Sequence, residues 1–345
     1  MKNLERNKIK IAHLKIGGGE RILVQSMTKS NPHCQKSLLK EIKSLQSVSC
    51  DLVRLAIPDQ EAARVFRAVR KQVSLPLVAD IHFDFRLALA AIDAGADKIR
   101  INPANLGSPE NVLKVVRKAK KSAVAIRVGV NAGSDLHKKK VSDLVDLCLQ
   151  YVRILERENF TDIVTAIKSS VVEETIEANK LLHQKSPFPI HLGLTEAGPL
   201  LSGSVKSAAA LVPLLRAGIG DTIRVSLTAP SDLEVKVARE ILSSVDKDSS
   251  NLEIVSCPTC GRTENNLIKI TSELEKKLKI YPKKKIKIAI MGCTVNGPGE
   301  INEADLGILG GKKISLFRRG KFVKFLSEEE VVPSLLEMIK ETPAK

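Results

Sequence analysis

The sequence has no tryptophan, two tyrosines and eight phenylalanines, so aromatic residues make up only 3% of it. The stacking platforms on which proteins hold unpaired bases are therefore scarce, and no helix-turn-helix, zinc-finger or RRM pattern takes their place. Long apolar runs are missing too. The longest, such as residues 208–215, fall far short of the roughly 20 residues a spanning helix needs. The opening MKNLERNKIKIAHLKIGGGER has no apolar core of signal-peptide type. A cytoplasmic protein is expected, with neither membrane nor nucleic acid as partner. Six cysteines in 345 residues do not make a disulfide framework in a compartment that keeps thiols reduced. Metal binding or catalysis is the better reason for those that cluster. Acidic residues are also in deficit, 39 against 55 basic ones, and the net charge of +16 creates a field that attracts anions.

What is present is a 43% hydrophobic chain, long enough for two domains, with a repeated alternation of short β-branched runs and helical patterns. The runs are RILVQSM (21–27), DLVRLAI (51–57), PLVADIH (76–82), DKIRINP (97–103), AVAIRVGV (123–130), DIVTAIK (162–168), PIHLGLT (189–195) and DTIRVSL (221–227). Segments such as EAARVFRAVRKQV and DLVDLCLQYVRILERE, with apolar residues near a 3.6 period, separate them. Such alternation predicts a parallel sheet, and eight units predict a (β/α)8 TIM barrel. A doubly wound open sheet is the competitor, but no G-x-G-x-x-G follows the first run. The pattern changes at DKDSSN, which predicts a barrel domain over 1–246 and a small α+β domain over 247–345. In that tail the spacing predicts a strand into SCPTCGR, a helix near 263–279, a strand in KKKIKIAI, a turn through TVNGPGE, a hairpin at Gly320 and a closing helix from Ser327.

In a TIM barrel the carboxyl ends of the strands face the active site. Those positions hold Gln25, Ser26, Arg54, Asp80, His82, Arg100, Asn102, Arg127, Asn131, Lys168, His191, Thr195, Glu196, Arg224 and Ser226. Any one of the cations could pair with a nearby carboxylate. Four arginines and a lysine at one position on separate strands instead point to a polyanion, since guanidinium forks grip phosphate bidentately. The Gly-rich GIGD (218–221) precedes the eighth strand and so reads as a tight turn on the opposite face. His82 and His191 suit acid-base work or hydrogen bonding within the mouth, and Glu196 suits proton transfer or an arginine partner.

Among the cysteines, Cys148 shares an apolar helix face with Leu144, Leu147 and Tyr151, Cys50 precedes a strand, and Cys34 lies in a loop, so none of the three needs a chemical role. Cys257 and Cys260 form C-x-x-C after one strand of the tail, and Cys293 follows another. Three thiolates without a fourth point to a metal centre with an unusual ligand or an open position, iron-sulfur or zinc. Glu300 is the candidate oxygen donor, against the alternative of a solvated loop carboxylate.

Taken in order, QSM, VADIHFD, RINP, RVGVNAGS, HLGLTEAG, GIGDTIRVSL, SCPTCGR and MGCTVNGPGE resemble the 4-hydroxy-3-methylbut-2-enyl diphosphate synthase (GcpE) family in its compact bacterial two-domain form. The resemblance implies reductive opening of 2-C-methyl-D-erythritol 2,4-cyclodiphosphate in the non-mevalonate isoprenoid pathway, with electrons from flavodoxin or ferredoxin. It implies a [4Fe-4S] cluster on Cys257, Cys260, Cys293 and Glu300, a diphosphate held by Arg54, Arg100, Arg127, Lys168 and Ser226 with Asn131 beside them, and Glu196 assisting proton transfer. Arg224, Asp80, His82 and Asn102 are expected to complete the pocket. It also implies a homodimer with a composite site. The chain departs from the family at KSNPHCQKSL, Ala104 and IKSS, which leaves the first loop's role open. Two rivals are a zinc-stabilised TIM-barrel enzyme acting on another phosphorylated substrate and, in a different class, a basic zinc-ribbon nucleic-acid binder.

Overall fold

The computed structural model describes residues 5–102, 105–131, 140–245, 252–278 and 286–342. The chain divides into two compact units, Met1–Asp248 and Ser249–Lys345. The boundary expected at 246/247, and the ends of the motifs RINP and RVGVNAGS, lie outside the described residues.

The first unit begins with an antiparallel hairpin, β1 (Ile9–Ile11) and β2 (Leu14–Ile16). There follow β3 (Leu23–Met27), α1 (Gln35–Ser47), β4 (Leu52–Ala56), α2 (Gln60–Arg70), β5 (Leu77–Asp80), α3 (Phe85–Asp93), β6 (Lys98–Ile101) and α4 (Pro109–Lys121). The second half of the unit holds β7 (Ala125–Asn131), α5 (Val141–Arg157), β8 (Ile163–Lys168), α6 (Val172–Lys185), β9 (His191–Leu192), β10 (Gly198–Pro199), α7 (Leu200–Arg216), β11 (Thr222–Ile223), β12 (Leu227–Thr228) and α8 (Ser231–Ser243). Eight strands form one parallel sheet in the order β8, β7, β6, β5, β4, β3, β11, β9, and a bridge between Thr165 and Ile190 joins its ends. This is the expected (β/α)8 barrel.

The strands are buried on both faces, as parallel strands covered by helices must be. The helices contribute one apolar stripe each: α2 buries Ala62, Ala63, Phe66 and Val69, and α4 buries Val112, Val115, Val116 and Ala119. Their starts are fixed by side-chain caps, Asp59 accepting from Ala62 N and Ser108 from Asn111 N. The last two barrel strands are shorter than their apolar runs. After Leu192 the backbone of Gly193 approaches Arg224 O so closely that a Cβ would sit 2.6 Å from it. The ladder stops there, and β10 and β12 pair separately at the rim. Gly220 (φ +115°) makes the tight turn before β11, on the face away from the mouth, as expected. The hairpin β1–β2 was not legible in sequence. Its Ile9, Ile11 and Ile16 pack on Leu23, Leu52, Val78, Ala125 and Val164, at the starts of five barrel strands, and so plug the floor.

The second unit runs β13 (Leu252–Ser256), α9 (Leu267–Leu278), β14 (Ile286–Met291), α10 (Gly297–Asn302), β15 (Leu306–Leu309), β16 (Ile314–Arg318), β17 (Lys321–Leu326) and α11 (Glu328–Glu341). Its five strands pair in chain order, the first three parallel and the last three antiparallel. Ile288, Ile290, Ile308 and Leu316 meet Leu267, Ile270, Leu274, Leu335 and Ile339 in a separate core. The hairpin turns at Gly320 (φ +70°), and Ser327 and Glu330 form the capping box of α11. One expectation is corrected. The Gly-rich stretch after Cys293 is not only a turn: residues 297–302 form α10, with Pro298 in its first turn, where the missing N–H costs no hydrogen bond.

Candidate functional site

At the carboxyl ends of the barrel strands lies a pocket of about 120 Å3 lined by Arg54, Asp80, His82, Arg100, Arg127, Lys168, Leu194, Thr195, Arg224 and Ser226. Strand register builds it. Asp80 pairs with Arg100, and Arg100 with Arg127, which sets one carboxylate and two guanidiniums in a single layer across β5, β6 and β7. Four arginines and a lysine face one another, with Asp80 as the only carboxylate that the described residues place in the lining.

Asp80 Oδ1 lies 3.4 Å from Arg100 Nη1, and its Oδ2 lies 3.8 Å from Arg54 Nε and 3.4 Å from His82 Nε2. Burial opposes its ionisation, but Arg54, the His82 hydrogen bond and Arg100 outweigh burial and hold its carboxyl far below the usual carboxylate range. Arg100 Nη1 also lies 2.6 Å from His82 Nε2. Many guanidinium nitrogens are nonetheless poorly served. Among the described residues Arg54 Nε and Nη2 hydrogen-bond only to the thioether of Met27, and Arg100 Nε, Arg127 Nε and Nη1, and Arg224 Nε are buried without a hydrogen-bond partner. Burial first, then Arg54 and Arg100, press the Arg127 pKa down, and burial brings Arg224 to about 10. Unsatisfied buried donors of one sign are costly unless an anion completes them.

Two buried amines lie deeper. Lys168 Nζ is 3.2 Å from His191 Nε2, and His191 Nδ1 is 2.7 Å from the Thr222 hydroxyl. Burial and then Lys168 depress the His191 pKa, so the imidazole is neutral, its Nε2 facing the amine and its Nδ1–H free to donate to Thr222. Burial, followed by Arg127, likewise lowers the Lys168 pKa. Lys98 was not singled out in sequence. Its Nζ donates to Gln25 Oε1 at 2.8 Å inside the barrel, and its pKa is lowered by burial and then Arg127. The signal available was a second cation two residues before Arg100, on the same face of the same strand.

Asn102 and Glu196 stand apart from the lining. Asn102 is half-buried just beyond β6, and Asn131 ends β7 opposite Lys168. Glu196 follows Thr195 but is exposed, with φ +52°, a left-handed conformation rare for a non-glycine residue. Ser26 serves the scaffold: its hydroxyl donates to the buried Glu234 of α8.

In the second unit, Cys257 and Cys293 follow the adjacent parallel strands β13 and β14, and Cys257 N donates to Ile290 O at 2.9 Å. Cys260 N donates to Thr263 Oγ1, and Thr263 packs so tightly on Gly292 that a Cβ there would lie 2.6 Å from that oxygen. The C-x-x-C turn, with Thr259 at φ +63°, is thereby held against the turn that carries Cys293. Glu300 lies in the first turn of α10. Cys50 and Cys148 are buried, and burial pushes both thiols up to about 12, whereas Cys257, Cys260 and Cys293 are free and at least partly exposed. Among the described residues no three His, Cys, Asp or Glu side chains converge to metal-binding distance. The donor chemistry and the packing of the two turns nonetheless fit a group bound by soft thiolates.

No helix among the described residues is long and apolar enough to cross a membrane. The GcpE TIM-barrel domain matches residues 6–239 and the GcpE protein C-terminal domain matches residues 253–341. The chain is 48% identical over 349 residues to the 4-hydroxy-3-methylbut-2-en-1-yl diphosphate synthase (flavodoxin) of Caldanaerobacter subterraneus, covering 99% of this chain and 98% of that one. It is 47% identical to the synthase of the same name from Clostridium acetobutylicum, over 98% of this chain and 99% of that one. Among solved structures, Yersinia pestis dihydropteroate synthase superposes with a TM-score of 0.53 at 12% identity, covering 71% of this chain and 98% of that one, a likeness of fold alone.

Proposed function

The chain belongs to the GcpE family, and on that premise we propose that it reductively opens 2-C-methyl-D-erythritol 2,4-cyclodiphosphate to (E)-4-hydroxy-3-methylbut-2-enyl diphosphate, a step of the non-mevalonate isoprenoid pathway. Two electrons enter and water leaves. The observation that carries this reading is the barrel mouth: five cationic side chains around one carboxylate, with buried guanidinium nitrogens that lack partners. A cyclic diphosphate supplies the missing acceptors. The zinc-stabilised alternative is not favoured, because full-length relatives carry the synthase name.

In this reading Arg54, Arg100, Arg127, Lys168 and Arg224 bind the diphosphate, and Ser226 adds a hydroxyl donor. Asp80 and His82 hold Arg54 and Arg100 in place from behind, through the contacts at 3.8 and 2.6 Å. Neutral His191 keeps Lys168 aimed into the pocket, and arrival of the anion favours the ammonium form of Lys168. Asn102 and Asn131 flank the ligand. Glu196 moves the proton that accompanies loss of water, and its left-handed backbone fixes where the carboxylate stands. Cys257, Cys260, Cys293 and Glu300 would hold an iron-sulfur group, for which we propose the [4Fe-4S] form. When bound, that group supplies electrons singly and a Lewis-acidic iron for the departing oxygen.

The electron donor is a flavodoxin, as in the relatives' names, or a ferredoxin of equivalent function. We place the reaction in the cytoplasm, where thiolate ligands stay reduced, and in a homodimer whose protomers share the site. The test is metal analysis of protein purified without oxygen. About four iron and four acid-labile sulfide per chain are expected, and stoichiometric zinc without sulfide would overturn the reading.

A further inference from the structure

From Leu306 to Ser327 the chain carries six basic residues and no acidic one. This stretch builds β15 to β17, and β17 is the free edge of the sheet. One face of that edge is covered, because Ile314, Leu316 and Leu326 enter the core under α9 and α11. The other face is bare. Phe322 and Phe325 are 51% and 58% exposed, with ring centroids 4.9 Å apart. Phe317 meets Phe322 edge-on at 6.0 Å, and Lys313 Nζ lies 6.0 Å from the centre of the Phe325 ring. A lone exposed phenylalanine is ordinary, but a contiguous aromatic patch on a basic edge marks an interaction site.

The patch adjoins the cysteine edge. Phe317 packs on the same small apolar group as Cys257, together with Met291 and Ile301. Gly310 N donates to Met291 O at 2.7 Å, and Gly311 N donates to Asn265 Oδ1 at 2.9 Å. The loop carrying Lys312 and Lys313 is therefore anchored directly beside the turn that carries Cys293.

We propose that Lys312, Lys313 and Lys324, with Phe322 and Phe325, form the docking face for an acidic electron-donor protein of the flavodoxin type. The proposal rests on the reductive reading above. Electrons bound for the thiolate edge have to enter next to it, and this face is next to it. A small apolar centre with a basic rim is the anatomy of a transient complex, in which charge sets the association rate. A second copy of the chain is disfavoured as occupant. It would bring the same basic stretch against this one, and like charges across an edge pairing repel.

The test uses the full-length holoprotein, a K312E/K313E/K324E variant and an F322S/F325S variant. Binding to Clostridium acetobutylicum flavodoxin is measured at low and high salt, and turnover is measured with reduced flavodoxin and with reduced methyl viologen. At low salt, affinity for flavodoxin and flavodoxin-driven turnover efficiency should each fall at least tenfold in both variants, for the lysines within the range electrostatic steering spans and for the phenylalanines as loss of the apolar anchors. Viologen-driven turnover should stay within twofold of wild type, and high salt should narrow the gap for the lysine variant. Wild-type binding and flavodoxin-driven turnover in both variants would overturn the proposal. So would loss of binding to phosphatidylglycerol vesicles, or of self-association, while flavodoxin binding is kept. If the wild type fails with viologen, the reductive reading fails, and the flavodoxin isotherms alone decide the docking face.

Discussion

Replacing Asp80 with asparagine removes the only negative charge that the described residues place in the lining of the mouth while nearly preserving its shape. At 3.4 Å from Arg100 and 3.8 Å from Arg54, the two attractions are each on the order of 4–5 kcal/mol at an effective dielectric of about 20. Burial of the carboxylate offsets much of this, so the expected net loss is that of breaking a buried ion pair, about 3–5 kcal/mol. For a unit of this size that is a fall in Tm of roughly 10 °C. The pH dependence has a definite sign. The folded carboxyl is held below its unfolded value of about 3.9, so its stabilisation is complete above that value and fades as pH falls toward the folded one. The loss runs at up to about 1.4 kcal/mol per pH unit. Inorganic diphosphate should stabilise the variant more than the wild type, because the variant's pocket is more positive. Urea unfolding from pH 3 to 7, with and without diphosphate, measures all three effects. A gap under about 1 kcal/mol at pH 7, or one undiminished at pH 3, would refute the claim that Asp80 anchors Arg54 and Arg100.

Three further outcomes are expected. His191 should keep neutral-imidazole nitrogen shifts as pH falls through its ordinary value of about 6.5, and a titration near that value would contradict the Lys168–His191–Thr222 arrangement. In Gly193→Ala the new methyl would lie 2.8 Å from Lys168 Nζ, so affinity for inorganic diphosphate should fall about tenfold or more, the cost of displacing one charged hydrogen bond; unchanged affinity would argue that Lys168 does not bind the anion. Cys257→Ser and Cys293→Ser should lose most bound iron while Cys148→Ser keeps it, and iron loss in all three alike would remove the distinction between ligand and core cysteines.

The barrel was legible because its strands are β-branched runs between amphipathic helices, a period that survives without knowledge of the contacts. The mouth was legible for the same reason. Once the strands are placed, their carboxyl ends are placed too, and nine of the ten lining residues, Leu194 excepted, stood at positions read from the sequence. The misses have local causes. The strands of the floor hairpin are three residues each and alternate with lysine, so they look like a polar terminus. Residues 297–302 carry two glycines and a proline, which mark a turn unless the proline falls in a first helical turn. Lys98 was hidden because nothing local says that its amine meets Gln25 across the barrel, a contact 73 residues apart. The exposure of Glu196 depends in the same way on a backbone angle that the sequence does not encode locally.

The central claim is that the cationic mouth and the thiolate edge serve one reductive reaction. The most direct test is to incubate protein purified without oxygen, with its iron intact, with 2-C-methyl-D-erythritol 2,4-cyclodiphosphate and reduced methyl viologen, and to identify the product by mass spectrometry. The account predicts (E)-4-hydroxy-3-methylbut-2-enyl diphosphate, formed with two viologen radicals consumed per molecule. Iron-replete protein that leaves the cyclodiphosphate unchanged would contradict it.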